Sequence, residues 1–179
     1  MKKITKIGIP IVSIFLLIAC GNNENKKQEN PQDSETSVQI SKEPEIRIND
    51  DVLNAIYSQY ANLTVALAQD NLAEAKLAAN AIEAGAREIS NNSNLAESAA
   101  AIVSAPDINK QRAAYSKLSD EMVALLKKAG MAQAELYVEY CPMAFDNKGA
   151  VWISSTKEVR NPYFGEKMLN CGEVKEIIK

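Results

Sequence analysis

Apolar residues recur at alternating steps of three and four through the middle of the chain, and this spacing constrains the fold more than any other feature. The three runs are Leu53, Ile56, Tyr60, Leu63 and Leu67, then Leu72, Ala75, Ala79, Ile82, Ala86 and Ile89, and then Tyr115, Leu118, Met122, Leu125 and Ala129. Such spacing puts apolar side chains on one face of an α-helix, whereas a strand alternates every second residue. The many Ala residues on these faces let helices approach closely. We therefore predict a mainly α protein, an up-and-down helical bundle of three long helices and one short helix over 95–104.

Polar residues mark the ends of these predicted helices. Asn49, Asp50 and Asp51 precede the first apolar run, and Asp70 and Asn71 interrupt the chain before the second; either group can cap a helix start. Asp107 can cap the third long helix, which Gly130 is suited to end. The chain has no His, which haem and di-iron sites commonly need, so we interpret the apolar faces as core.

The period of the pattern changes to two towards the C-terminus. Apolar and polar residues alternate over 136–141, a turn-like segment follows at 146–149, and residues 150–154 can return as a partner strand. The segment 161–165 is a predicted loop, because its proline disfavours helix at the residue before it. Residues 166–171 can form one or two helical turns. These features predict a small C-terminal β-hairpin and loop subdomain.

The first 19 residues have the plan of a secretory signal. They contain three Lys near the N-terminus and then an apolar run over 7–19 that is too short to span a bilayer as a helix. The run ends Leu17-Ile18-Ala19-Cys20, which resembles a bacterial lipobox. We therefore predict that residues 1–19 are a lipoprotein signal peptide and that Cys20 is acylated. Two acyl chains give firm membrane attachment.

The segment after Cys20 differs in composition from the rest of the chain. It is rich in Asn, Lys, Gln, Glu, Ser and Pro, and between residues 21 and 45 its large aliphatics are Val38 and Ile40. Such a segment cannot bury enough apolar surface to offset its ordering entropy. We expect residues 20–46 to be a lipidated, disordered tether of roughly 25–30 Å end-to-end distance. Residues 47–179 then form one domain outside the cytoplasm, with the outer membrane favoured because Gly follows Cys20.

Charge argues against nucleic acid as a partner. Loss of the three leader Lys from the 20 basic residues leaves 17 against 23 acidic ones, a net charge of −6. Nucleic acids and anionic lipid headgroups need basic patches. We therefore expect contact with the membrane through the lipid anchor and no binding of nucleic acid.

No pattern in the sequence predicts an enzyme. A nucleophilic Cys or Ser normally relies on a His base, and the chain has no His. The two C-terminal cysteines lie far apart in sequence, unlike the Cys-x-x-Cys arrangement of thiol–disulfide oxidoreductases. There is also no Gly-rich phosphate-binding loop with a Walker-type Lys.

Four sulfur-containing residues lie in the last third of the chain: Cys141, Met143, Met168 and Cys171. The first two share a side if they lie on a strand, and the last two share a face if they lie on a helical turn. If the pairs meet, two thiolates and two thioethers offer soft ligands that select Cu(I), and by the same logic Ag(I). Zinc fits less well, because structural zinc sites usually complete four ligands with further Cys or His.

The alternative interpretation of the same residues is a disulfide. Two Cys that remain in an exported chain after Cys20 is lipidated most simply pair, closing a loop of about thirty residues worth roughly 3–4 kcal/mol. The two Met would then fill gaps among aromatic residues. A disulfide of this kind would stabilise a partner-binding face that carries Trp152, Tyr163 and Phe164, although a lone Trp in an apolar segment is usually core. The residues alone favour the disulfide.

Four motifs follow one another in the C-terminal third: Tyr-Cys-Pro-Met-Ala, Gly-Ala-Val-Trp-Ile-Ser, Asn-Pro-Tyr-Phe-Gly and Met-Leu-Asn-Cys-Gly. In this series the chain resembles a bacterial domain-of-unknown-function family, whose members occur as lipoproteins and appended to periplasmic adaptor subunits of Cus-type copper/silver efflux pumps. The resemblance covers roughly residues 51–178, with its specific motifs at 140–172. It implies a heavy-metal context and raises the metal interpretation to the level of the disulfide, without identifying ligands.

The sequence therefore leads to two functional expectations. The first is a lipid-anchored protein facing the periplasm that binds Cu(I) or Ag(I) through Cys141, Met143, Met168 and Cys171 and associates with a metal efflux complex. The second is a structural or interaction lipoprotein stabilised by the Cys141–Cys171 disulfide. Neither requires a further cofactor.

Overall fold

Helices fill most of residues 51–129 in the computed structural model, which describes residues 45–89 and 93–179. The helices are α1 (Asp51–Ala68), α2 (Leu72–Ala86), α3 (Ser93–Ser104) and α4 (Ile108–Ala129). The mainly helical fold is thus confirmed, and helices that follow one another in sequence pack together. The up-and-down arrangement stays a prediction. The signal peptide, Cys20 and nearly all of the tether lie outside the described residues.

Short polar side chains begin three of the helices, as their sequence predicts. Asp50 accepts a hydrogen bond from the Leu53 amide (2.8 Å), Asn71 from Glu74 (3.1 Å) and Asp107 from Lys110 (2.9 Å). Each bond satisfies an amide that has no partner inside its own helix, which stabilises a helix by about 1 kcal/mol. At the other end of α4, Gly130 adopts a φ of 72° and its amide bonds the Leu126 carbonyl at 2.9 Å. These caps separate the predicted runs into discrete helices.

The predicted apolar faces form the core. All five apolar residues of the first run are at most 3% exposed, and Ala75, Ala79 and Ile82 of the second are fully buried. In α4 the sequence analysis expected Leu125 to face the core, but Leu126 is the fully buried residue and Leu125 is half-buried. Either position continues the three–four rhythm after Met122, so the pattern alone could not choose between them.

The β-structure is larger than the predicted hairpin. Strand β3 (Leu136–Cys141) lies between β4 (Ala150–Ser154) and β5 (Glu173–Ile178), and both pairings are antiparallel. A second, two-stranded sheet joins β1 (Arg47–Ile48) to β2 (Met131–Gln133). The β3–β4 hairpin agrees with the sequence analysis, whereas β1, β2 and β5 were not expected.

The turn between β3 and β4 has an unusual backbone. Phe145, Asp146 and Asn147 have φ values of 52°, 58° and 64°, so three successive non-glycine residues are left-handed. Gly149 follows with a φ of 79°, and a Cβ there would lie 2.2 Å from the Tyr140 hydroxyl. Only glycine fits this position, both for its conformation and for its closeness to Tyr140. Left-handed residues without glycine cost roughly 1–2 kcal/mol each, so surrounding contacts must hold this turn in place.

No helix among the described residues is long and apolar enough to cross a membrane.

Candidate functional site

Three of the four predicted sulfur residues come together where β3 ends. The Cys141 and Cys171 Sγ atoms lie 3.6 Å apart, and Cys171 Sγ lies 4.0 Å from the Met143 Sδ. Both cysteines are free thiols in the structure. We call these three residues the sulfur cluster. Residues thirty positions apart in sequence therefore meet in the folded chain.

The members of the sulfur cluster differ in exposure. Cys141 is the last residue of β3 and is fully buried, while Cys171 is half-buried in the loop before β5. The Met143 side chain is 47% exposed. The cluster thus extends from the protein interior to solvent, with Cys141 at its inner end and Met143 at its outer end.

Met168 does not join the sulfur cluster. The sequence analysis expected one or two helical turns over 166–171, which would put Met168 and Cys171 on one face. Instead a single 3-10 turn, Gly165–Met168, ends before Cys171, and the Cys171 amide bonds the Met168 carbonyl at 3.1 Å. Met168 is half-buried, and neither thiol of the cluster contacts its sulfur within the part of the chain that the structure describes.

Met143 also reaches the cluster differently from expectation. Strand β3 ends at Cys141, so Met143 lies in the turn that follows and not on the strand. Its sulfur contacts Cys171 and not its sequence neighbour Cys141. The left-handed turn at 145–147 begins two residues after Met143 and reverses the chain.

Asn161 holds the loop that carries Cys171. Its side-chain amide donates to the Cys171 carbonyl at 2.5 Å, and its side-chain oxygen accepts from the amides of Tyr163 (2.8 Å) and Phe164 (3.2 Å). The backbone amide of Asn161 also donates to the Leu169 carbonyl at 2.6 Å, and Asn161 is fully buried. The loop around Asn161 and Pro162 was predicted but this role of Asn161 was not, although an Asn that bonds the backbone two residues on is a known turn signal.

Arg112 fastens the same loop to the helices. Its Nε donates to the Pro162 carbonyl (2.7 Å), and its Nη2 donates to the Leu67 carbonyl (2.9 Å) and to Asp70 Oδ1 (2.6 Å). Arg112 is 6% exposed. Asp70 also accepts from the Glu166 amide at 3.3 Å. This set of contacts was not predicted, because a lone Arg on a helix is normally solvated.

Burial and charge act in opposite directions on Asp70. Burial raises the pKa of Asp70, but the hydrogen bonds from Arg112 and the Glu166 amide and the charges of Arg112 and Lys167 together lower it below its ordinary value. Asp70 therefore stays ionised and neutralises the buried guanidinium.

The aromatic residues predicted as a partner-binding face lie mainly inside the protein. Trp152 is 1% exposed and Tyr163 is 7% exposed, while Phe164 is half-buried. The Tyr163 ring packs against the rings of Tyr115 (5.6 Å between centroids), Phe145 (5.5 Å) and Trp152 (6.0 Å). Burial raises the pKa of the Tyr163 hydroxyl well above its ordinary value. Trp152 and Tyr163 thus form the core beneath the loop. Of the three predicted contact residues, Phe164 alone leaves part of its surface accessible to a partner.

Glu139 is the unexpected residue near the sulfur cluster. It is fully buried two residues before Cys141 on β3, opposite Trp152 of β4. Neither of its carboxylate oxygens has a hydrogen-bond partner at normal geometry. Burial raises the Glu139 pKa to about 7, and the nearby Trp152 indole acts weakly in the opposite direction. From the sequence, Glu139 was predicted only as one residue of the alternating strand pattern.

Cys141 acts on the thiol of Cys171. Burial raises the pKa of Cys171, and so do the hydrogen bond and the charge of Cys141. These effects favour the protonated form of Cys171 at neutral pH, and a soft cation that binds its thiolate would displace this proton.

The spacing of the thiols fits a shared metal ion. Two sulfurs 3.6 Å apart can both bind one ion at about 2.3 Å with an S–metal–S angle of about 100°. No group of three or more His, Cys, Asp or Glu side chains that could hold a metal ion occurs in residues 45–89 and 93–179. The Met143 thioether, 4.0 Å from Cys171 Sγ, is placed to be a third ligand.

Residues 56–134 match a family model described as Protein of unknown function (DUF3347). The match includes most of α1, all of α2–α4 and β2, and it ends before β3. Residues 140–172, which carry the four motifs, lie outside it. No curated protein and no solved structure matches the chain. The chain is thus similar to a domain-of-unknown-function family over its helices, and the association with efflux adaptors stays a prediction.

Proposed function

We propose that the protein captures a soft monovalent cation, Cu(I) or Ag(I), at the sulfur cluster. The observation that carries the proposal is the meeting of two unjoined thiols, 3.6 Å apart, with a thioether 4.0 Å from one of them. Thiolate and thioether donors prefer Cu(I) to the harder cations. A site built from thiolates and a thioether, in a chain without His, discriminates further against harder ions.

The three residues have different roles in this proposal. Cys141 is the fixed inner ligand, because it ends a strand that is paired on both sides. Cys171 is the second thiolate, held by the Asn161 side chain. Met143 is the outer, neutral ligand through which the ion enters and leaves, since it is 47% exposed. Met168, the fourth ligand predicted from the sequence, has no place in the set.

The cellular role in this proposal follows the expectations from the sequence. A lipid anchor at Cys20 would hold the domain at the periplasmic face of a membrane, and the tether would let the sulfur cluster reach an efflux complex. The family match adds no function to this role, because the matched family is itself described only as of unknown function.

A competition titration with Cu(I) and Ag(I) tests the proposal. The full chain carries Cys20→Ser, so that Cys141 and Cys171 are its only thiols, and it is handled with reductant and without oxygen. We expect one ion per chain and a loss of at least about tenfold in affinity for Met143→Leu. Cys141→Ser and Cys171→Ser should each lose more.

Met168→Leu is the matched control for this titration. It removes a thioether of the same size that lies on the same loop but outside the cluster. We expect the affinity to stay within a factor of about two, since no contact to the ion is removed. Equal losses for Met143→Leu and Met168→Leu would contradict the assigned ligands, and absence of stoichiometric binding would overturn the proposal.

The structural disulfide is the second candidate. The Cys141 and Cys171 sulfurs lie 3.6 Å apart, so they need to approach by only about 1.6 Å to form a disulfide bond. A count of free thiols in the protein isolated without reductant and then treated with reduced glutathione separates the two. Two free thiols per chain carrying Cys20→Ser support the metal site, and none, which means a bond that reduced glutathione does not open, supports the structural disulfide.

A further inference from the structure

The two thiols of the sulfur cluster are not equivalent, and this difference carries chemistry of its own. Cys141 is 0% exposed and lies in a paired strand. Cys171 is half-buried in a loop, and its sulfur lies on the side that opens towards the exposed Met143. A reagent in solution can therefore reach one sulfur and not the other.

We propose that the sulfur cluster undergoes ordered thiol–disulfide exchange with small disulfides, in which Cys171 reacts first and Cys141 resolves. The Cys171 thiolate attacks a sulfur of an external disulfide, forming a mixed disulfide and releasing one external thiolate. The Cys141 thiolate then attacks the Cys171 sulfur and releases the second external thiolate. The chain loses two protons and two electrons, and the external disulfide is reduced to two thiols.

The geometry favours the second step. The Cys141 sulfur already lies 3.6 Å from the sulfur that it must attack, so the two atoms need to approach by only about 1.6 Å to reach bonding distance. The loop has limited freedom to move away. The Asn161 side chain bonds the Cys171 carbonyl, and a Cβ on the neighbouring Gly172 would lie 2.7 Å from the Trp152 ring. A mixed disulfide at Cys171 is therefore resolved within the chain.

This inference rests on the proposed function and adds its regulation. A disulfide between Cys141 and Cys171 uses both thiolates that the cation needs, so the oxidised chain and the metal-loaded chain exclude each other. Binding of the ion protects the thiols from oxidation, and oxidation of the empty cluster closes it to the ion. The exchange concerns the protein's own thiols and does not make it a catalyst of disulfide formation.

The test measures reaction with oxidised glutathione in the absence of metal. The full chain with Cys20→Ser is reduced, freed of reductant and mixed with oxidised glutathione, and samples are quenched with acid and analysed by mass spectrometry. We expect Cys141→Ser to accumulate one glutathione on Cys171. Cys171→Ser should react at Cys141 at least about tenfold more slowly, because access limits the rate. The chain with both cysteines should end as the internal disulfide without glutathione.

A second measurement keeps the order testable if either variant folds poorly. In the chain with both cysteines, early quenched samples are digested and the transient glutathione adduct is mapped. Adduct on Cys171 supports the proposal. Adduct mainly on Cys141, equal rates in the two single variants, or a stable adduct on Cys171 that does not resolve would each overturn it.

Silver separates this inference from the proposed function. We expect one equivalent of Ag(I) to slow formation of the disulfide at least about tenfold, since both thiolates are occupied. Ordered exchange without protection by Ag(I) would overturn the link to metal capture. Stoichiometric binding of Ag(I) to a chain whose thiols do not exchange in this order would overturn only the inference.

Discussion

At the scale of single residues, the described part of the chain differs from an ordinary helical domain by two buried charged groups, Arg112 and Glu139. Glu139 has no hydrogen-bond partner at normal geometry, whereas Arg112 has three. The first should reduce stability when it is ionised, because a buried charge without partners is costly. The second should contribute stability, because its partners compensate its burial.

The raised pKa of Glu139 gives a prediction for pH. The folded chain keeps the Glu139 proton up to about pH 7, whereas the ordinary pKa of Glu is 4.5. The folded state therefore binds more protons between these values, and the free energy of unfolding falls as pH rises through this range. We expect Glu139→Gln to lack this fall, a difference of up to about 3 kcal/mol above pH 7.

Urea unfolding at several pH values between 4 and 8 measures this effect. The difference between the two proteins isolates Glu139 from the other carboxyl groups, which change stability in both. Parallel pH profiles for the wild type and Glu139→Gln would show that the carboxylate finds a partner in solution.

Asp70→Asn tests the ion pair of Arg112. The substitution leaves the guanidinium buried without a counter-charge, and because the Asp70 side chain is 40% exposed we expect a loss of about 1–2 kcal/mol. Since the Asp70 pKa is lowered, this stability is present above the ordinary pKa of Asp and lost as pH falls below it. Thermal unfolding at pH 7 measures the loss.

Glu83→Gln is the control for an exposed ion pair. Glu83 pairs with Arg87, whose side chain is 69% exposed, so its substitution should cost less than about 0.5 kcal/mol.

At the scale of elements, local sequence predicted the helices well and the sheet only in part. The three–four rhythm and the cap residues define α1–α4 because both act within one or two turns. Strand β1 is two residues long and pairs with β2 more than eighty positions later, which no local pattern contains. Strand β5 is mostly exposed, and its register with β3 shifts at Val138 and Glu139. Strand β5 therefore lacks the alternation of buried and exposed residues from which a strand is predicted.

Gly149→Ala tests the tight turn between β3 and β4. An alanine there would have a φ of 79° and a Cβ 2.2 Å from the Tyr140 hydroxyl, so we expect a loss of roughly 3 kcal/mol. Gly130→Ala is the matched control. Its φ is 72°, but its Cβ would meet only Asn49 at 3.4 Å, so the cost should be only the backbone term of about 1 kcal/mol. Chemical denaturation measures both, and equal losses would show that Tyr140 moves aside without cost.

At the scale of the whole domain, the sulfur cluster depends on contacts that the sequence does not reveal. The sequence pointed to two thiols that could meet. The fold brings them together because Arg112 of α4 fastens the loop to the helices and the buried Asn161 holds its Cys171 end. The sequence could not exclude Met168, because its exclusion follows from a 3-10 turn that ends three residues before Cys171. The roles of Arg112, Asp70 and Asn161 are visible only when helices, sheet and loop are assembled.

The most direct measurement of the central claim is X-ray absorption of the Cu(I)-loaded full chain carrying Cys20→Ser. We expect three sulfur neighbours at about 2.3 Å in this protein, two after Met143→Leu, and three after Met168→Leu. Nitrogen or oxygen neighbours in place of sulfur, or a spectrum unchanged by Met143→Leu, would contradict capture of the ion by Cys141, Cys171 and Met143.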